Sequence, residues 1–235
     1  IIFKNINPGE SYLNTLYELF INDNSNVDFI IESTNPEATE IINFSSNIKK
    51  NAQLNIYPLY ISGKLIKNNY FIYLKEKNST FNYNGINLLD GNDHIDNYIE
   101  INHQNKYTNS NTNQKNILKG RSKVIFYSKA KININSSNSE AHQKNNNIIL
   151  SSKANVHSNP QLEIYNNDVK CSHGSTTGEI DDDILFYMRS RGLSLDKAKK
   201  MLLNSFLDEM IQPINIISYT ENIKNKINNW LANVN

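Results

Sequence analysis

The sequence predicts a mainly β core followed by a short all-helical module. Three observations predict it. Between about residues 27 and 175, apolar residues recur in short period-two runs bounded by Asn, Ser, Asp and Gly, the mark of strands. No helical pattern interrupts that stretch, which argues against a βαβ sheet. From residue 181 the period becomes that of amphipathic helices, with capping residues at their boundaries. Sandwich, barrel and solenoid architectures all satisfy these observations. The runs are short, many and only loosely repetitive, which fits parallel coils stacked on one another.

The elements follow in chain order. SYLNTLYELFINDN (11–24) reads as a short helix, with Leu13, Leu16, Tyr17 and Phe20 on one face. NVDFIIES, QLNIYPLYISG, NYFIYLKEK and STFNYNGINLLDG then read as strands, rich in β-branched and aromatic residues. NYIEINH, SKVIFYSKAKININ, NNIILSSKANVH and QLEIYNNDVKCSH continue the pattern. Asn84-Gly85 is an isolated hairpin signal. Asp181 suits an N-cap, with Asp182 and Asp183 in the first helical turn, where acids complement the helix dipole. Arg189 and Arg191 fall in the last turn, and Gly192 is the expected stop. Ser194 caps a second helix with Leu195, Ala198, Met201, Leu202, Phe206 and Met210 as its stripe, ending before Pro213. A third helix is expected between Tyr219 and Ala232, with Ile223, Ile227 and Trp230 on one face. The resulting division is 1–26 for an N-terminal helical or irregular segment, 27–178 for the β core and 179–235 for the helical module.

Composition removes several function classes. The formal net charge of +1 gives no global field for nucleic acid or an anionic membrane. The arginines are Arg121, Arg189 and Arg191 alone, and no basic block interleaves with aromatics. A single cysteine, Cys171, cannot build a disulfide framework. No run of 18 apolar residues is present, and neither phosphate-binding glycine motif, GxxxxGK[ST] nor GxGxxG, occurs. The opening IIFKNINPGE lacks signal-peptide regions and a starting Met, so the chain is expected to be the core of something longer. Asn is very common and has A/T-rich codons, which makes its abundance weak as a functional signal.

Two constellations bear on chemistry. The carboxylates Asp90, Asp93, Asp96 and Glu100 would serve a solenoid acting on carbohydrate, although they sit in a Gly/Asn-rich turn that solvent alone explains. Cys171 and His173 are two apart in a strand-like run, so they share a face and can approach one metal ion. Two ligands leave a tetrahedral site half built. Val169 shares that face, and spacing alone favours a small buried hydrophobe beside an ordinary histidine. A second chain docking on the strand would complete the site.

Several ordered motifs carry a family resemblance over roughly residues 51–211. Asp168 to Gly178, DVKCSHGSTTG, and Asp181 to Leu193, DDDILFYMRSRGL, resemble the C-terminal signature of the SufB/SufD family of the SUF iron–sulfur assembly machine. LLDGNDHIDNYIEINH, KNILKGRSKVIFYSKAKI and EAHQKNNNIILSSKANVHSNPQLEIY resemble its upstream motifs. The SufB branch typically carries E-H-E where this chain has Cys171-Ser172-His173, and Q-R-G at Ser190-Arg191-Gly192, so CSHG and SRG resemble the SufD branch. The family's preceding helical domain is largely missing from the sequence.

The resemblance implies a mainly β fold, a right-handed parallel β-helix core followed by a C-terminal α-helical module. It also implies a non-catalytic scaffold. The last strands would pair with a SufB-like subunit, or with a second copy when the chain is isolated, and the helices would dock a SufC-like ATPase. His173, with Cys171 as accessory, would sit at the paired interface against a transient iron–sulfur cluster that neither chain holds alone. Asp181, Leu185, Phe186, Arg189, Arg191, Leu202 and Phe206 would belong to the ATPase-facing helices. A plastid-type stroma, or otherwise the cytoplasm, is the implied compartment.

Overall fold

The computed structural model describes residues 1–5, 9–214 and 217–233, and the side chains of 217–218 lie outside that description. Among the described residues there are thirteen strands and three helices. The odd-numbered strands are β1 (Ile2–Asn5), β3 (Asn26–Ser33), β5 (Gln53–Ile61), β7 (Thr80–Leu89), β9 (Asn109–Leu118), β11 (Ser139–Ile149) and β13 (Val169–Gly178). They form one seven-stranded sheet in that order. The even-numbered strands are β2 (Ser11–Ile21), β4 (Ala38–Ile48), β6 (Leu65–Leu74), β8 (His94–His103), β10 (Lys123–Ile132) and β12 (Asn155–Ile164), forming a six-stranded sheet. Every pairing is parallel. The chain therefore alternates between two facing sheets, and register partners one coil apart differ by 26 residues (Thr39 with Leu65) to 32 (Lys123 with Asn155). This is a β-solenoid, one of the three architectures the pattern admitted.

Asparagine has a structural role at one corner. Asn24, Asn51, Asn78 and Asn138 all have φ between +54° and +61°, and Asn tolerates that left-handed region better than most residues. The corner recurs once per coil, with Tyr107 (φ +59°) in place of Asn between Asn78 and Asn138, and the Asn51 and Asn78 amides donate to the preceding Asn side chain at 3.0 and 2.9 Å. At the opposite corner Gly120 (φ +68°) lies so close to Gly91 that a Cβ would stand 2.6 Å from its backbone nitrogen.

The lumen changes character along its length. Its first coils are packed with Phe29, Phe44, Tyr70 and Tyr83, whose rings contact each other at 5.2–5.7 Å in mostly edge or tilted geometry. From Asn68 on β6 onward, one wall becomes amides and hydroxyls. Asn68 donates to Asn97 (2.6 Å), Asn97 to Gln114 (3.2 Å), Gln114 to Asn116 (2.9 Å), and Asn116 to Asn145 (2.9 Å). These amides donate one to the next, which satisfies most of the buried polar wall, while Thr112 Oγ1 and Gln143 Oε1 in it have no hydrogen-bond partner.

Helices α1 (Asp182–Ser190), α2 (Leu195–Ile211) and α3 (Ile217–Leu231) complete the chain. Leu203, Leu207, Met210 and Ile211 of α2 and Ile223, Ile227 and Leu231 of α3 pack on Ile30, Leu59, Ile86, Leu88 and Ile117, the outer face of the seven-stranded sheet. Charged groups reinforce this contact. Glu32 on β3, 2% exposed, accepts from the Tyr219 hydroxyl at 2.9 Å and from the Lys226 ammonium. Lys115 on β9 pairs with Glu209 and lies under the Phe206 ring.

Four expectations are corrected. Residues 11–21 form strand β2 rather than a helix. The segment is apolar on both faces, so it satisfies either period, and ladder bonding to β4 decides. Leu13, Tyr17 and Leu19 turn inward while Tyr12, Leu16 and Phe20 stay 65–72% exposed. Asn84-Gly85 lies within β7 and makes no hairpin. Glycine is needed there because a Cβ would meet the Tyr83 ring at 2.7 Å. NNIILSSKANVH and QLEIYNNDVKCSH each span a turn between two strands. The buried stripe of α2 is rotated from the expected one, with Leu203, Leu207 and Ile211 inside and Leu195 and Met201 over 40% exposed. Apolar residues flank both sides of that helix, and the sheet surface selects one.

Candidate functional site

The last strand carries the candidate site. Strand β13 pairs with β11 alone, and β12 with β10 alone, so both sheets end on free edges at the same end of the solenoid. On β13, Lys170 and Ser172 point outward, where they meet Glu140 (3.0 Å) and His142 Nδ1 (2.7 Å). Val169 and Cys171 point inward and pack against the cluster of Ala130, Ile132 and Ala141. Alternation places His173 on the same inward face, one residue pair beyond Cys171 and opposite Gln143 in register. No further coil covers it, and it is exposed.

The two side chains thus differ in setting. Cys171 is half-buried, and burial pushes its thiol above the ordinary value of 9.0, against a smaller opposing effect of the Ala141 backbone. A neutral thiol needs a cation or a base before it becomes a ligand. His173 offers an imidazole at the open rim. Among the described residues no three His, Cys, Asp or Glu side chains gather around one metal position. The geometry is a half-buried thiol and an exposed imidazole on the inward face of the last strand, at the uncapped end of the solenoid.

The acidic residues near 90–100 are arranged differently. Asp93 is buried and accepts from Ser62 Oγ (3.1 Å), Gly63 N (3.2 Å) and Asp90 N (3.0 Å), which makes it a turn brace. Asp90 pairs with Lys119, and Glu100 accepts from Tyr98. Asp90, Asp93 and Glu100 thus each have local partners.

In the helical module, the Asp181 carboxylate accepts from Asp183 N (2.9 Å) and Ile184 N (3.2 Å), an N-cap. Leu185 is buried, whereas Phe186 is 73% exposed. Arg189 and Arg191 are exposed, and the Arg191 guanidinium lies 5.3 Å from the Tyr187 ring centre. Leu202 is half-buried, and Phe206 packs against the solenoid flank. Phe186, Arg189, Leu193 and Leu195 line an open hollow of about 590 Å³ between α1 and α2. Sequence reasoning passed over exposed Ile184 and Tyr187, and over Gln143. The spacing of 30 residues from Gln143 to His173 is the one signal that links that pair.

Fold and site together define a class: a parallel β-solenoid with an open terminal strand bearing a Cys-x-His pair, flanked by a docked helical module. The family model for the SUF system FeS cluster assembly SufBD core domain matches residues 1–206, and the chain belongs to that family. It is 26% identical over 213 residues to the iron–sulfur cluster assembly protein SufD of Escherichia coli, covering 90% of this chain and 50% of that protein. A SufBD family protein of Synechocystis is 27% identical over 208 residues, 87% of this chain and 46% of the relative. A chloroplastic Arabidopsis thaliana protein, ABCI7, is 34% identical over 89 residues, 38% of this chain and 19% of the relative. The chain spans about half the length of the first two relatives. No described helix is long and apolar enough to cross a membrane.

Proposed function

We propose that the chain is a SufD-type scaffold without catalytic activity of its own. In this reading β13 and β12 pair with the end of a SufB-like solenoid, and a nascent iron–sulfur cluster assembles as cargo between them. The observation that carries it is the exposed His173 on a terminal strand whose second edge is free. A free edge invites strand addition. Imidazole and thiolate both ligate iron, so His173, with Cys171 as accessory, is the half-site, and the partner supplies the rest. Assembly would then depend on complex formation.

The hollow between α1 and α2 is the proposed seat of a SufC-like ATPase. Phe186 offers exposed apolar area there and Arg189 offers charge, with exposed Arg191 beside it. Asp181, Leu185, Leu202 and Phe206 hold the helices in place. Because α2 and α3 are bonded to the solenoid flank, nucleotide-driven movement of the ATPase would pull on the coils beside the interface. A plastid-type stroma fits this assignment, as does a bacterial-type cytoplasm.

The test is co-purification with SufB- and SufC-like partners, followed by anaerobic reconstitution with iron and sulfide. His173→Ala is expected to keep the complex and lose cluster formation. Unchanged reconstitution would sink the half-site. The same free edge also lets an isolated chain pair with a second copy, which a mass measurement reads.

A further inference from the structure

We propose that Gln143 is the positioning residue for His173, selecting which ring nitrogen carries the proton and which faces the partner. The inference rests on the reading of His173 as a ligand, and adds the group that orients it.

Thr112, Gln143 and His173 occupy one column across β9, β11 and β13. Gln143 is 1% exposed. Its Nε2 donates to the Gln161 carbonyl at 3.0 Å, which fixes one end of the carboxamide against β12. Its Oε1 is buried with no hydrogen-bond partner. An amide oxygen left this way is costly, and native structures rarely keep one without a reason. The next side chain on the same inward face, one strand towards the open end, is His173.

A neutral imidazole has one N–H and one lone pair. Donation of that N–H to Gln143 Oε1 would satisfy the amide and fix the tautomer. The other nitrogen then keeps its lone pair for a metal ion at the rim. Metal-binding histidines generally have their second nitrogen held by a carbonyl or carboxylate in this way, and loss of the holder typically lowers metal affinity 10–100-fold. Thr112 Oγ1 is also unpartnered, one coil deeper in the column. It is the competing partner for Gln143, and the test separates the two.

The experiment is a long-range proton–nitrogen NMR spectrum of the whole chain at pH 8 with ¹⁵N-labelled histidine. The chain has five histidines, and His173→Ala identifies the signal. One tautomer is expected in the natural sequence. Gln143→Met, close in shape, should release the ring to a mixture of tautomers, and Gln143→Glu, still an acceptor, should keep one. Thr112→Val should leave the signal unaltered. A mixture in the natural sequence, or a Gln143→Met spectrum identical to it, overturns the proposal, as does an effect of Thr112→Val alone. Gln143→Met is also expected to lower iron incorporation in the partnered complex 10–100-fold. A fixed tautomer together with His173→Ala-insensitive reconstitution would leave the Gln143 contact standing and refute the ligand reading.

Discussion

Tyr219→Phe probes the contact that holds the helical module to the solenoid. The Tyr219 hydroxyl donates to Glu32 Oε2 at 2.9 Å, and that carboxylate is 2% exposed. Lys226 takes the other oxygen, and Lys4 stands 3.6 Å from Oε2. A hydrogen bond to a charged group is worth about 1.5–3 kcal/mol. Removing the hydroxyl leaves Oε2 with a single distant cation, so about 2 kcal/mol is expected. In a chain of this size that lowers Tm by roughly 4–8 °C. Glu32→Gln should cost more, about 3 kcal/mol, because it strands two ammonium groups. It stays near the low end of the range for broken buried pairs because both lysines are about a third exposed and reach water. Burial and the neighbouring Lys4 already pull Lys226 below its usual pKa, so the substitution at Tyr219 is the cleaner measurement. Thermal unfolding gives the total, and hydrogen exchange in α3 shows where it is felt. A Tm within about 1 °C of the natural sequence, with α3 exchange unchanged, would refute the reasoning, since the latch would then contribute nothing beyond apolar packing.

Two further outcomes follow from buried groups. His103 is fully buried between Thr108 Oγ1 and Ser110 Oγ, each at 2.8 Å, and burial lowers its pKa from 6.5 to about 3. The unfolded chain therefore takes up a proton below pH 6.5 that the folded chain refuses, so stability falls as pH drops from 6.5 towards 3. The slope approaches about 1.4 kcal/mol per pH unit, or about 2 kcal/mol lost by pH 5. Urea titrations at pH 7 and 5 should show this loss, and His103→Gln should reduce it. At Cys171 the raised thiol pKa predicts alkylation slower than that of free cysteine at neutral pH, with the rate still climbing above pH 9. Mass spectrometry after timed iodoacetamide treatment measures it, and faster labelling than free cysteine would contradict the burial.

Much of the fold was legible. The runs at 26–33, 53–61 and 80–89 are strands, as their β-branched and aromatic content indicates. The caps at Asp181 and Ser194 and the stop at Gly192 were local chemistry and stand as read. Strand β9, NSNTNQKNIL, escaped the pattern because its inward residues are Ser110, Thr112, Gln114 and Asn116. Polar side chains can line this lumen because stacked coils bring hydrogen-bond partners to most of them, as to Ser110, Gln114 and Asn116, and hydrophobic periodicity is blind to such a wall.

The sequence by itself determined the strand-rich core, the helix boundaries and the Cys-x-His spacing on one strand face, since each depends on residues within a few positions. Only the tertiary structure decided that 11–21 is a strand, which side of α2 is buried and which sheet each strand joins. It also decided that Cys171 packs inward while His173 is exposed, both at an open end. The strand outcomes depend on contacts between residues 26 to 32 positions apart, the buried side of α2 on sheet residues much farther off in sequence, such as Ile86 and Ile117, and the open end on where the coils stop.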